Sequence, residues 1–183
     1  MAGKREALIV IDMQKGFDKP SWGTRNNPRA EANGLVVLQA WRATGRQVII
    51  VRHDSTNPDS PLRPGQPGND LKPGFEPVAG DWLIAKSVNS AFIATDLKAQ
   101  LHNAGITAIT VFGLTTDQCV STTVRMAANF GFAVTVVEDA CACFAQTAPW
   151  GQPVSADLLH MAHITTLNTE FARVVTSHDA FCH

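Results

Sequence analysis

Three things are scarce in this chain, and each absence excludes a class of protein. The first is a charge surplus: fifteen Lys and Arg stand against sixteen Asp and Glu, for a formal net charge of -1. Nothing in that balance would hold a nucleic-acid backbone, and no acidic block reads as a disordered tail. The second is a long apolar run. The continuous stretches at 7–11 and 48–51 fall far short of the roughly 20 residues that a membrane span needs. The opening MAGKRE leads into a short strand-like run rather than a signal peptide's hydrophobic region and cleavage site. The third is cysteine in a pattern. Cys119, Cys141, Cys143 and Cys182 all lie in the C-terminal half with no C-x-x-C pair, and a secreted disulfide framework normally sits in a smaller, loop-rich chain. A soluble, cytoplasmic protein with at least one free thiol and neither nucleic-acid nor membrane partners is the expectation.

What is present is an apolar core's worth of sequence, 183 residues of which 45% are hydrophobic, read as one domain over 1–183 with no internal repeat. Short β-rich runs alternate with helical patterns. The strand runs are 7–11 (ALIVI), 47–51 (QVIIV), 82–85 (WLIA), 107–112 (TAITVF), 133–137 (AVTVV) and 173–176. ALIVI is apolar without a break and too short for a helix, which suits a strand buried on both faces. Between the strands, helices are expected at 31–44, 95–103, 116–130 and 155–163, the second and third opened by Thr95 and Thr116 as caps. Residues 52–80 are rich in Pro, Gly, Asp, Asn and Ser, and a loop of that length in a compact domain is usually functional. Strand-helix alternation means right-handed crossovers and a mainly parallel, helix-covered sheet, an α/β fold.

Such sheets bind ligands at the carboxyl ends of their strands, so the residues that follow each strand carry the functional reading. Asp12 follows ALIVI; a carboxylate there needs a charged or hydrogen-bonding partner, and taken alone it is equally a cap or turn residue. Lys86 follows WLIA, where a snorkelling surface lysine is the plainer alternative. Cys119 lies in GLTTDQCV, which leaves the fourth strand through Gly113 and enters a helix. A sulfur in a helix's first turn meets unpaired N–H groups and the positive dipole end, which would lower its pKa. A small buried helix cysteine is the competing reading. Three strand ends thus offer a nucleophile, a carboxylate and a cation.

With these residues in view, the chain resembles the isochorismatase-like cysteine hydrolase superfamily, relatives of nicotinamidase and N-carbamoylsarcosine amidohydrolase. The likeness runs through ALIVIDMQKGF, the loop VRHDSTNPDSPLRPGQPGNDLKPGF, IAKSVNSAF, VFGLTTDQCVSTTVRMAANFGFAVTVVEDACACF and EFARVVTS. Strand-Asp, Lys and G-x-x-T-x-x-C in that order make the signature specific. The resemblance implies a three-layer α-β-α, Rossmann-like fold around a six-stranded, mainly parallel sheet. It implies Cys119 as nucleophile, Asp12 as general base and Lys86 as their electrostatic partner. It also implies a non-proline cis peptide at Leu114–Thr115 and an oxyanion hole from the Thr115 and Cys119 amides.

The implied activity is hydrolysis of a small amide, carbamoyl or lactam C–N bond through a thioester, with no cofactor. Two readings stand beside it. Isochorismatase-type vinyl-ether hydrolysis is disfavoured by the cysteine, and a catalytically idle binding protein by the complete Asp12, Lys86 and Cys119. Metal-bearing relatives carry a D-x-H pair after the second strand; here the order is Arg52-His53-Asp54-Ser55 and residues 54–80 hold no other His, so no metal is expected. His53 is a candidate pocket residue that orders the pocket or the loop, with substrate contact as the alternative. Phe17, Trp22, Trp82 and Phe92 are candidate aromatic walls, with core packing as the alternative for each, and Asn89 and Thr116 are candidate polar contacts. Cys141 and Cys143 read as packing residues, because an i,i+2 disulfide is strained. Many relatives are dimers or tetramers, so a small-molecule substrate and a homodimer or homotetramer are the expected partners, with the 52–80 loop closing part of the entrance.

Overall fold

The computed structural model describes residues 5–181; the opening MAGK and Cys182 lie outside that range. In chain order the elements are β1 (Arg5–Ile11), α1 (Ala30–Ala43), β2 (Val48–His53), β3 (Trp82–Lys86), α2 (Leu97–Asn103) and β4 (Ile106–Gly113). There follow α3 (Ser121–Asn129), β5 (Ala133–Val137), β6 (Gln146–Thr147), β7 (Pro153–Val154), α4 (Ala156–Thr166) and β8 (Arg173–Val175). Six strands form one sheet in the order β3-β2-β1-β4-β5-β8, every neighbouring pair parallel. Helices flank this sheet, as the alternating pattern requires. No helix among the described residues is long and apolar enough to cross a membrane.

All six β-rich runs are strands, with ends that differ by no more than two residues. Ala7, Leu8, Ile9, Val10 and Ile11 are fully buried in β1, each large side chain contributing about 1.5–3 kcal/mol relative to exposure. Helix α1 turns Val37, Leu38 and Trp41 into the same core. It lies so close to the sheet that a Cβ on Gly34 would stand 2.8 Å from the Phe112 ring of β4. Two features had no periodic signal: the antiparallel hairpin β6–β7, each strand only two residues long, and the 3-10 turns Lys15–Asp18 and Pro20–Trp22.

Two expected caps are replaced. Helix α2 begins at Leu97, preceded by Asp96, which makes no side-chain cap bond; the Thr95 hydroxyl donates backwards to the Ala91 carbonyl at 2.6 Å and accepts only a long bond, 3.4 Å, from the Leu97 N–H. Thr116 opens a π-helical turn, Thr116–Val120, that runs into α3. Its hydroxyl is paired with His160 Nδ1 at 2.9 Å instead of capping. Ser155 does cap α4, accepting from the Leu158 N–H.

Strand order sets the position of the site. From β1 the chain moves outward to β2 and β3, and from β4 it moves the other way to β5 and β8. The adjacent ends of β1 and β4 therefore form the point where winding reverses, and a crevice opens there.

Candidate active site

Four strand ends supply the site. Ile11 pairs with Gly113 across β1 and β4, and His53 pairs with Lys86 across β2 and β3. Asp12, His53, Lys86 and the segment after Gly113 consequently share one edge of the sheet. Asp12 is held in a left-handed conformation, φ 51°, its N–H donating to Val51 and its carbonyl accepting from Gln14. Asp tolerates this region better than most residues. Gly113 has φ 144°, and a Cβ there would stand 2.0 Å from the Ile11 carbonyl oxygen. Only glycine lets β4 pass so close to the residue before Asp12. The next peptide bond, Leu114–Thr115, is cis.

Asp12, Lys86 and Cys119 come together as one buried cluster. The Lys86 ammonium donates to Asp12 Oδ2 at 2.6 Å and to Cys119 Sγ at 3.3 Å, and it stands 3.0 Å from His53 Nδ1. Both side chains of the Asp12–Lys86 pair are fully shielded from water, the arrangement a strand-end carboxylate requires. Three ammonium protons meet three partners, so the lysine is saturated. Asp12 Oδ1 is buried and has no hydrogen-bond partner. It is the acceptor left over for a proton.

The electrostatics correct one expectation. Burial, and then the charge of Asp12, push the Cys119 thiol well above the ordinary range, against the opposing pull of Lys86. Desolvation overrides the helix-start effect, and Cys119 rests as a thiol. Burial likewise raises the Asp12 carboxyl above its usual value, although Lys86 opposes it. His53 is lowered to about 4 by burial and by Lys86, so its ring is neutral at physiological pH and its Nδ1 accepts from the ammonium.

A carboxylate oxygen of Asp12, a ring nitrogen of His53 and Sγ of Cys119 lie within 4.8 Å of one another, a spacing that could hold a metal ion. The donor set does not fit one, because the Lys86 ammonium already lies among these atoms and donates to them. Asp54 is engaged with Arg52 at 2.8 and 2.9 Å and with Asn69 at 2.9 Å, away from any shared coordination with the ring.

Above the cluster is a cavity of about 330 Å³ that reaches Cys119, His53 and Thr115. Phe17, Trp22 and Asn89 line it. Phe144 joins the two aromatic rings, with centroid separations of 5.1 Å for Phe17–Trp22, 5.6 Å for Trp22–Phe144 and 6.3 Å for Phe17–Phe144. Backbone bonds stitch this wall together: Asn26 donates to the Cys143 carbonyl and Ala145 to that of Thr24. Residues of the long loop, among them Ser55, Asn57 and Leu62, form another wall. That loop is held by Asn69, whose Nδ2 lies 2.9 to 3.0 Å from the carbonyls of His53 and Leu62 and from Asp54. Buried Gln14 clamps the His53 backbone, accepting from its N–H at 2.8 Å and donating to its carbonyl at 3.0 Å.

Three candidate wall residues are elsewhere. Trp82 is the first residue of β3, at the end opposite Lys86, and packs on the core. Phe92 is buried against Phe130 and Phe132, an apolar cluster below the helices. Thr116 is fully buried at the start of the Thr116–Val120 turn, its hydroxyl held by His160. Conversely, Phe144, Asp117, Gln118 and Gln146 line the cavity without having been singled out. Phe144 and Gln146 follow β5 in a stretch with no periodicity, and Asp117 and Gln118 were the variable positions of G-x-x-T-x-x-C. Cys141 and Cys143 are fully buried, and their thiols reach the Val137 and Ala156 carbonyls, which suits packing. No disulfide joins the described cysteines.

Against known families, the isochorismatase domain model matches residues 6–179. The chain belongs to the isochorismatase family. An isochorismatase family protein of Bacillus subtilis, YrdC, is 39% identical over 174 residues, covering 95% of this chain and 93% of that one. A solved structure from Chromobacterium violaceum, of the same family, superposes with a TM-score of 0.93 at 46% identity, covering 98% of this chain and 93% of its own. Streptothricin hydrolase of Streptomyces noursei is 29% identical over 139 residues, which are 76% of this chain and 50% of the relative. Isochorismatase-family members are hydrolases, and the present chain is an isochorismatase-family hydrolase.

Proposed function

We propose that this hydrolase opens a small amide, carbamoyl or lactam C–N bond with Cys119 as nucleophile. The supporting observation is the Lys86 ammonium shared between Asp12 and Cys119, with Asp12 Oδ1 left unpartnered. A thiol pushed up by burial needs a base beside it, and a carboxylate raised by the same burial is a stronger base than an exposed one. Asp12 takes the thiol proton as Sγ bonds to the carbonyl carbon. The oxyanion is received by the Thr115 and Cys119 backbone N–H groups. The C–N bond then breaks as Asp12 returns its proton to the departing nitrogen, leaving a thioester. Asp12 next takes a proton from water, whose oxygen attacks the acyl carbon, and the acid leaves while the thiol regains its proton.

The likeness to a streptothricin hydrolase puts streptothricin among the compounds worth testing. The same reading carries a small-molecule substrate, a cytoplasmic setting and a homodimer or homotetramer, the last checked by light scattering on gel-filtered protein. The deciding experiment is a panel of small amides and carbamoyl compounds scored for ammonia, with lactams scored for gain of water by mass. Turnover that vanishes in Cys119→Ala, with an acyl adduct on Cys119 in rapidly quenched protein, is the expected result. Undiminished turnover in Cys119→Ala overturns the assignment.

A further inference from the structure

Asp117 is a carboxylate with no assigned task in the chemistry above, and it lines the same cavity as Cys119. Its Oδ2 accepts from Gln146 Nε2 at 2.6 Å. Its Oδ1 is shielded from water and has no partner, which costs free energy. The remaining lining is contributed by Ser, Asn, Thr, Gln, Leu, Ala and aromatic side chains, with Cys119 and His53. His53 is neutral near pH 7. The charges behind it, Asp12 and Lys86, offset each other at 2.6 Å. Among the described residues of the lining, Asp117 is therefore the one side chain that brings a charge without an ion-pair partner, and none is a Lys or Arg that would receive an anion.

The other large feature of the lining is the cluster of Phe17, Trp22 and Phe144, whose rings lie within 6.3 Å of one another. Aromatic faces attract cations through their quadrupoles, most strongly when water is excluded. A carboxylate and an aromatic cluster in one small cavity form a receptor for a positively charged, N–H-rich group. A substrate carboxylate would meet repulsion from Asp117 with nothing to offset it.

We propose that Asp117, with the Phe17–Trp22–Phe144 cluster, is a specificity subsite that selects substrates carrying an ammonium, amidinium or guanidinium group beside the scissile C–N bond. The inference rests on reading this cavity as the substrate site and narrows the substrate class within it.

The test uses three para-substituted benzamides of matched shape, 4-(aminomethyl)benzamide, 4-methylbenzamide and 4-carbamoylbenzoate, titrated calorimetrically into Cys119→Ala protein so that turnover does not intrude. The ammonium compound is expected to bind about tenfold more tightly than the methyl compound, and the carboxylate most weakly. Asp117→Asn in the same background is expected to shrink that advantage to about threefold or less. A measurement independent of this variant is a pH series, in which the advantage disappears as the ligand's own amine loses its proton. Failure of the ammonium compound to bind, binding no better than the methyl compound, or an advantage unchanged in Asp117→Asn overturns the proposal. Ammonia release by the unsubstituted enzyme separates the two readings. The charge order without ammonia release retains the subsite and removes the amide chemistry, whereas ammonia release without the charge order removes the subsite and retains the chemistry.

Discussion

At the scale of single residues, the site depends on one ammonium serving three partners. Removing either member of a buried pair leaves the other charge uncompensated, so Lys86→Met is expected to cost about 3–5 kcal/mol in a urea melt as well as activity. The two partners act on Cys119 in opposite directions, which separates electrostatic from proton-transfer roles. Asp12→Asn removes an anion that raises the thiol pKa, so Cys119 is alkylated faster by iodoacetamide at a fixed pH; Lys86→Met removes a cation that lowers it, so alkylation slows. Asp12→Asn should thus have the more acidic thiol and no turnover, an outcome that an Asp12 of purely electrostatic effect would not produce. Gly113 is the other residue with no substitute. A Cβ 2.0 Å from the Ile11 carbonyl forces backbone movement next to both Asp12 and the turn that carries Cys119. Gly113→Ala should lose about 3 kcal/mol or more, read as a lowered denaturation midpoint, together with activity.

At the scale of elements, the parts that shape the cavity are the least regular ones. Segment 54–70 forms part of the cavity lining and is tied down largely by Asn69, which reaches the His53 and Leu62 carbonyls and Asp54 at once. Asp54 is held below its usual value although burial alone would raise it, because hydrogen bonds from Arg52 and Asn69 outweigh that burial. Asn69→Ala should cost about 1–3 kcal/mol by leaving buried acceptors unpaired. Its kinetic signature is a raised KM with a smaller change in kcat, measured on whichever amide the panel identifies, since the loop lines the cavity and contributes none of the groups proposed for the bond-making steps. Sequence patterns see such pieces poorly. The apolar strands were legible because burial on both faces leaves an unbroken run, as in 7–11. The hairpin β6–β7, at two residues per strand, and the short turns around Phe17 and Trp22 are too brief to set up a period.

For the molecule as a whole, the segments around the cavity are joined to the core by a second charged network. Lys72 is nearly buried and paired with Asp18 and, at 2.7 Å, with Glu31 at the start of α1, which Arg25 also grips at 2.7 Å. Burial would raise the Glu31 carboxyl, but the bonds from Arg25 and Lys72 prevail and hold it at about 2 against an ordinary 4.5. A carboxyl lowered in the folded state stabilises above its unfolded pKa and loses that contribution as pH falls through the folded one. Stability should therefore decline between about pH 4.5 and pH 2 by an amount on the order of 2 kcal/mol, reduced for partial exposure, and Glu31→Gln should flatten that limb of a denaturation series.

The sequence alone pointed to the parallel α/β sheet, because unbroken apolar runs mark the buried strands, and it marked Asp12, Lys86 and Cys119 as candidates at or after strand ends; their meeting in one buried cluster is a fact of the tertiary structure. The sequence did not determine the resting state of the thiol, because a helix start argues for a low pKa and only burial beside Asp12 reverses that sign. Nor did it determine the walls of the cavity. Trp82 and Phe92 pack on apolar clusters while Phe144 and Asp117 line the cavity, because which side chains share a cavity depends on loops that are distant in sequence meeting at one sheet edge, and only tertiary packing brings them there.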